Sequence, residues 1–147
     1  MSYTIYLSGE IHSDWRQQIK QGIVENNLDI EILSPITDHS DSDNVGTKIL
    51  GEEQSNFWKD HKAAKINALR SNSYISRSDI VIVKFGEQYK QWNAAFEAGI
   101  ASGLGIPTIV MHSPELTHPL KEVDAAALAV TETPAQVVEI LKYISQA

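Results

Sequence analysis

The chain has 147 residues, 42% hydrophobic and 21% charged, which is ordinary for a globular protein and long enough to bury one core. Its net charge of −7, with no basic patch, argues against a nucleic-acid polymer as partner but leaves a nucleoside or nucleotide open. The absence of cysteine excludes disulfides, thiol catalysis and thiolate metal sites. With no apolar run of about 18 residues and no signal-peptide pattern, the expectation is a cytoplasmic protein without membrane contact.

Residues 3–8 form a short apolar strand, followed by the loop Ser8-Gly9-Glu10-Ile11-His12-Ser13. Ser13 is a suitable N-cap for the first helix, and Trp15, Ile19, Gly22 and Ile23 give it an apolar stripe. Residues 28–34 alternate as a second strand, which Pro35 stops. Residues 35–56 are polar and read as one long loop, of the kind that is usually functional or disordered. A helix is expected over 57–73, with Phe57, His61, Ala64, Ala68 and Leu69 on one side.

Residues 79–85 are a continuous β-branched run, the pattern of a strand buried on both faces. Asp79 precedes it and reads as a structural turn residue, away from the ligand end. A polar loop, 86–91, leads into a helix over 92–104 built almost wholly from Ala, Gly and Ser, with Glu97 its only acidic residue. Asn93 lies four residues earlier on the same helical face. Gly105 and Pro107 stop the helix. Residues 108–111 form a fourth strand, 112–126 a loop and 127–130 a short fifth strand. Thr133-Pro134-Ala135-Gln136 is a capping box that starts the last helix.

Five strands alternating with helices predict an α/β fold: a three-layer, doubly wound, flavodoxin-like parallel sheet of order 2-1-3-4-5, in a single domain over residues 1–147. The loops after strands one and three then face each other across the switch-point crevice, where such sheets bind ligands. A lone Glu on a helix is most often a solvated carboxylate. Glu97 stands out because a helix of small residues packs closely, and because the positive helix start favours negative charge.

The Ser8-Gly9-Glu10 turn lacks a dinucleotide fingerprint and is not a Walker loop, yet offers backbone N–H groups to an anion at the start of the first helix. Phe85, Tyr89 and Trp92 either stack on a base or cover the core edge. Asp41, Asp43, Gly46 and Glu52 match a calcium loop in part, but Val45 stands where an oxygen ligand is needed, so the reading fails. His12, His39, His112 and His118 lack metal-binding spacing and read as loop residues. No metal or cofactor is expected.

The segments Tyr6-Leu-Ser-Gly-Glu-Ile-His-Ser-Asp-Trp-Arg16, Ser34-Pro-Ile-Thr-Asp-His39, Phe85-Gly-Glu-Gln-Tyr-Lys-Gln-Trp-Asn-Ala-Ala-Phe-Glu-Ala-Gly99 and His118-Pro-Leu-Lys-Glu-Val-Asp124 resemble the YtoQ family. That family resembles a branch of the nucleoside 2-deoxyribosyltransferase-like superfamily, which implies a homodimer or higher homo-oligomer acting on a small nucleoside or nucleotide. Glu97-Ala98-Gly99 and Gly105-Ile106-Pro107 match the superfamily's helix motif. The resemblance implies Glu97 as nucleophile, Tyr6 as the hydroxyl that helps position it, and Ser8 and Gly9 as the loop lining the sugar or phosphate. Glu10, His12, Asp38, His39, Gly86, Trp92 and Asn93 complete the expected substrate-binding set, with His12, Asp38 and His39 as candidate general acids. Gln91 departs from the transferases' acidic residue six positions before the nucleophile, and Ser71-Asn72 from an Asp in their preceding helix. The expected activity is a nucleoside or nucleotide N-glycosidic hydrolase or deoxyribosyltransferase. The rival is a non-catalytic nucleotide-binding or sensing domain.

Overall fold

The computed structural model describes residues 2–146. In chain order the elements are β1 (Tyr3–Gly9), α1 (Trp15–Glu25), β2 (Ile30–Leu33), α2 (His39–Leu50), α3 (Asn56–Arg77), β3 (Ile80–Lys84), α4 (Trp92–Gly103), β4 (Thr108–Met111), a 3₁₀ turn (Pro114–Leu116), α5 (Lys121–Ala126), β5 (Ala129–Thr131) and α6 (Pro134–Ser145). The sheet order is β2-β1-β3-β4-β5 and all four strand pairs are parallel, as the alternation of strands and helices predicts. Ser8 pairs with Val83 and Gly9 with Lys84, so the ends of β1 and β3 meet at the switch point.

Strand alternation sends Ile5, Leu7, Ile82, Ile109 and Met111 to one face, where they pack with Trp15, Ile19 and Ile23 of α1 and Val137 and Leu141 of α6. Gly22 lets these two helices close up: a Cβ there would lie 2.6 Å from a methyl of Val138. Tyr6, Val81, Val83 and Val110 face the other way, against Ile75 of α3 and Ala94, Ala98 and Ala101 of α4. The Asp79 carboxylate accepts from Thr4 N at 2.8 Å, the structural role expected of it.

Four expectations need correction. Residues 39–50 are a helix, not a loop. Asp38 caps it by accepting from Asp41 N at 2.9 Å, and Gly46 is its only buried residue, seated where a Cβ would lie 2.5 Å from Lys62 of α3. Such a helix rests on a cap and a backbone approach, so it shows no apolar period to read. α3 is longer than 57–73, and it buries Ala63 and Ile75 while Phe57 and Leu69 stand 68% and 74% exposed. Part of the expected loop over 112–126 is helical, and the fifth strand falls at Ala129–Thr131. Ser13 does not cap α1; Asp14 takes the N-cap position, and the Ser13 hydroxyl turns back to Glu10.

Candidate functional site

The β1–α1 loop is shaped by Gly9. Its φ of +111° is open only to glycine at low cost, and an added Cβ would lie 2.1 Å from the Lys84 carbonyl oxygen. The chain then turns so that Glu10 N donates to Lys84 O at 3.0 Å. Glu10 is buried, and its carboxylate accepts from His12 N and from the Ser13 hydroxyl. Glu10 thus occupies one amide and one hydroxyl of the loop, while the first turn of α1 carries no side-chain cap.

Arg16, which the sequence reading passed over, holds the end of β1 in place. Its guanidinium donates to the carbonyls of Leu7 (3.2 Å), Gly9 (3.1 Å) and Glu10 (2.6 Å), and it stacks 4.5 Å from the Trp15 ring centroid. Burial lowers its pKa to about 10, against the opposing pull of Tyr6, Glu10 and Glu97. The signal was an Arg in the first turn of a helix that follows a glycine turn, close to the carbonyls at the end of β1.

Across the crevice, Gly86 N donates to the Gln91 side-chain oxygen at 2.9 Å, closing the β3–α4 loop on itself. A side chain at 86 would displace Glu10, because an added Cβ would lie 2.7 Å from Glu10 Cγ. The two loops flank a cavity of about 300 Å³, as their facing positions predict, walled by Glu10, His12, Lys84, Gly86, Tyr89 and Gln91. Ser113 and Glu132, from the ends of β4 and β5, close its far side. Lys84, Ser113 and Glu132 were not foreseen, since each reads as an ordinary strand-end polar residue.

Glu97 projects from the second turn of α4 toward β1, where Ser8 Oγ donates to Glu97 Oε2 at 2.6 Å. Ser8 and Tyr6 are fully buried and Glu97 half-buried. The small residues of α4 bring its backbone close enough to the sheet for this contact. The Tyr6 hydroxyl donates to Ser71 Oγ at 3.4 Å. Burial first, then the nearby Glu97 carboxylate, push the Tyr6 phenol well above its ordinary pKa, so it stays protonated and acts as a donor, not a base.

The remaining expected site residues divide. The His12 ring lies 4.7 Å from Tyr89 and 5.4 Å from His39, an aromatic cluster joining the β1–α1 loop, the β3–α4 loop and the start of α2. Asp38 is committed to its cap. Trp92 is 71% exposed, with the Lys90 ammonium 5.4 Å from its ring, and Asn93 is also exposed; neither lines the cavity. Asn93 and Glu97 therefore diverge, although the spacing placed them on one face. Glu97, Tyr6 and Ser8 lie on the α4 side of the sheet, outside the cavity lining. At the end of β4, buried His112 bonds through Nε2 to the Asp124 carboxylate at 2.9 Å and through Nδ1 to Ser113 O at 2.6 Å, tying α5 to the sheet. Among the described residues no three His, Asp or Glu side chains gather as a metal site would require, and no helix is long and apolar enough to cross a membrane.

The fold is the flavodoxin-like α/β fold of the nucleoside 2-deoxyribosyltransferase-like proteins, which response-regulator receiver domains share. The 2-deoxyribosyltransferase of Bacillus psychrosaccharolyticus superposes with a TM-score of 0.55 at 17% identity, over 92% of this chain and 90% of that one. A conserved protein from Enterococcus faecalis V583 does so with a TM-score of 0.64 at 14% identity, over 98% and 99% of the two chains. A receiver domain from Rhodospirillum rubrum gives 0.57 at 11% identity, over 98% and 94%. Likeness at such identities shows the fold alone. The chain itself belongs to the YtoQ family: the model of the family described as "Nucleoside 2-deoxyribosyltransferase YtoQ" matches residues 6–145. The uncharacterized protein YtoQ of Bacillus subtilis (strain 168) is 40% identical over 144 residues, 98% of this chain and 97% of that protein.

Proposed function

We propose that the protein cleaves the N-glycosidic bond of a nucleoside, with Glu97 as nucleophile. The observation that carries this reading is the 2.6 Å bond from Ser8 Oγ, which aims a half-buried carboxylate at the switch point of the sheet. A Glu97 oxygen bonds to the anomeric carbon. The electron pair of the C–N bond leaves with the base, which takes up a proton. Water then breaks the glycosyl ester, or a second base takes the sugar, and the carboxylate is restored. His12 and His39 are the candidates for the proton donor, because Asp38 is held in its cap. Tyr6, kept protonated, would donate toward the carboxylate or the sugar. The Glu10 carboxylate beside the loop, holding His12 N and the Ser13 hydroxyl, disfavours a second negative charge there, so a nucleoside suits the loop better than a 5′-nucleotide. Homo-oligomeric assembly belongs to the same proposal.

A second reading, a non-catalytic nucleotide-binding or sensing domain, is favoured by two facts. Glu97 lies outside the cavity lining, and Gln91, where the transferases carry an acid, holds the loop shut through Gly86. Incubating the protein with a panel of nucleosides and 5′-nucleotides separates the two. The first reading expects free base from the wild type and none from Glu97→Ala. A ligand-induced rise in Tm with no base released from any member supports the second and overturns the first.

A further inference from the structure

A second hollow, of about 510 Å³, lies between α1 and β2, on the opposite face of the sheet from Glu97. β2 is the edge of the sheet, and no strand of the described residues pairs with its outer side. Strand alternation turns Ile30, Ile32 and Ser34 toward α1, which answers with Arg16, Lys20, Ile23 and Val24 at helical spacing. Leu7 and Ile23, 1% and 4% exposed, make a dry floor. Partly buried Ile30 and Ile32 and exposed Val24 make apolar walls.

The trough has two unlike ends. β1 and β2 are parallel, so the helix that joins them runs back against both. Arg16 and Gln17 therefore lie at the Ser34 end and Val24 at the Ile30 end, with Lys20 between. From Arg16 to Val24 the helix rises about 12 Å, and from Ile30 to Ser34 the strand advances about 13 Å, so the two walls match in length.

The charge is equally one-sided. The chain has 19 Asp and Glu against 12 Lys and Arg, yet no carboxylate lines the trough and both of its charged residues are cations. Glu31, between the two isoleucines, faces the other way and accepts from Thr4 Oγ1 at 3.3 Å. Arg16 is spent on the carbonyls of Leu7, Gly9 and Glu10. Lys20 has no carboxylate within 4 Å among the described residues.

We infer that this trough binds an anionic amphiphile, a straight alkyl chain ending in a carboxylate. The tail lies on Leu7, Ile23, Ile30 and Val24, and the head meets the Lys20 ammonium and the Gln17 amide. A chain of roughly ten carbons fills the length. A nucleoside is the poorer occupant, because no aromatic ring lines the trough. A peptide strand added to β2 is poorer too, because Pro35 ends the edge after four residues of strand. The inference is independent of the glycosidic chemistry on the other face, and either can fail alone.

Titration calorimetry with carboxylates from hexanoate to dodecanoate, each below its micelle-forming concentration, tests it. One carboxylate is expected per chain, with Kd falling about fourfold for each added methylene until the trough is full. Octylammonium is expected to bind more weakly than octanoate. Lys20→Glu should weaken octanoate roughly 5–10-fold and make octylammonium the tighter ligand of the two. Val24→Gln, at the apolar end, should weaken decanoate more than hexanoate. Both positions are exposed, so circular dichroism and Tm should match the wild type. Failure of every carboxylate to bind, an affinity that ignores chain length, or octanoate binding unchanged in Lys20→Glu overturns the proposal.

Discussion

The two faces of the sheet are built on opposite plans. On one, α1 and α6 bring large side chains (Trp15, Ile19, Leu141) down onto Ile5, Leu7 and Ile82, all essentially without solvent contact. On the other, the fully buried residues of α4 are all alanines (Ala94, Ala98, Ala101), and two hydroxyl-bearing residues of β1, Tyr6 and Ser8, are buried with them. The first plan maximises buried apolar area. The second gives up area so that a helix backbone can approach the strands closely, and that approach is what lets Glu97 reach Ser8. Stability and chemistry are thus assigned to different sides of one five-stranded sheet.

Truncation on the apolar side should have the largest effect. Trp15→Ala is expected to cost ~3–5 kcal/mol in urea denaturation, the usual loss for an aromatic removed from a core. A cost near zero would mean that α1 is not anchored as described. Next comes enlargement on the other side. Ala98→Leu should lose ~1–3 kcal/mol by overpacking, and by lifting α4 it should lower base release more than its stability loss explains. Ser8→Ala should lower the melting temperature, since a buried hydrogen bond to a charged group contributes ~1.5–3 kcal/mol, and should reduce base release roughly 10–100-fold. Wild-type turnover in Ser8→Ala would remove the serine from the proposed role.

The smallest effect concerns pH. The folded-state pKa of Tyr6 is raised above the unfolded value of about 10, so its contribution is complete below that pH and is lost as pH rises beyond it. Arg16, lowered to about 10 from 12.5 chiefly by burial, acts in the opposite sense over the same alkaline range in both chains, so the comparison reads the phenol together with its coupling to Arg16. Tyr6→Phe should therefore lose less stability than the wild type above about pH 10, as thermal melts across that boundary would show. Parallel decline of the two chains would mean that the phenol is less shielded than its burial indicates.

Sheet order and strand pattern were legible because they rest on signals that survive in sequence, β-branched runs and a capping box, whereas the nearness of Glu97 to the first strand was implied only by the family resemblance. The C-terminal capping box at Thr133 and Gln136 is present as read. What escaped depends on contacts between distant residues. α2 has no apolar stripe, because it is held by an Asp38 cap and by Gly46 against α3. The stripe of Phe57 and Leu69 looked like a core face and points to solvent, since periodicity reveals that a face is apolar but not what covers it. The role of Glu10 escaped for a related reason: that its carboxylate turns back to His12 N and the Ser13 hydroxyl is decided by loop geometry alone.

Helix α2 carries a consequence for access to the crevice. Twelve residues long, it sinks only Gly46 into the protein, and its Asp41–Lys48 ion pair is open to solvent. So shallow a segment unzips far more readily than the strands beneath it. In deuterium exchange its amides should take up label well ahead of those of β1 and β3. His39, its first residue, stands 5.4 Å from the His12 ring, so label uptake there should report on the aromatic cluster at the mouth of the β1–α1 loop.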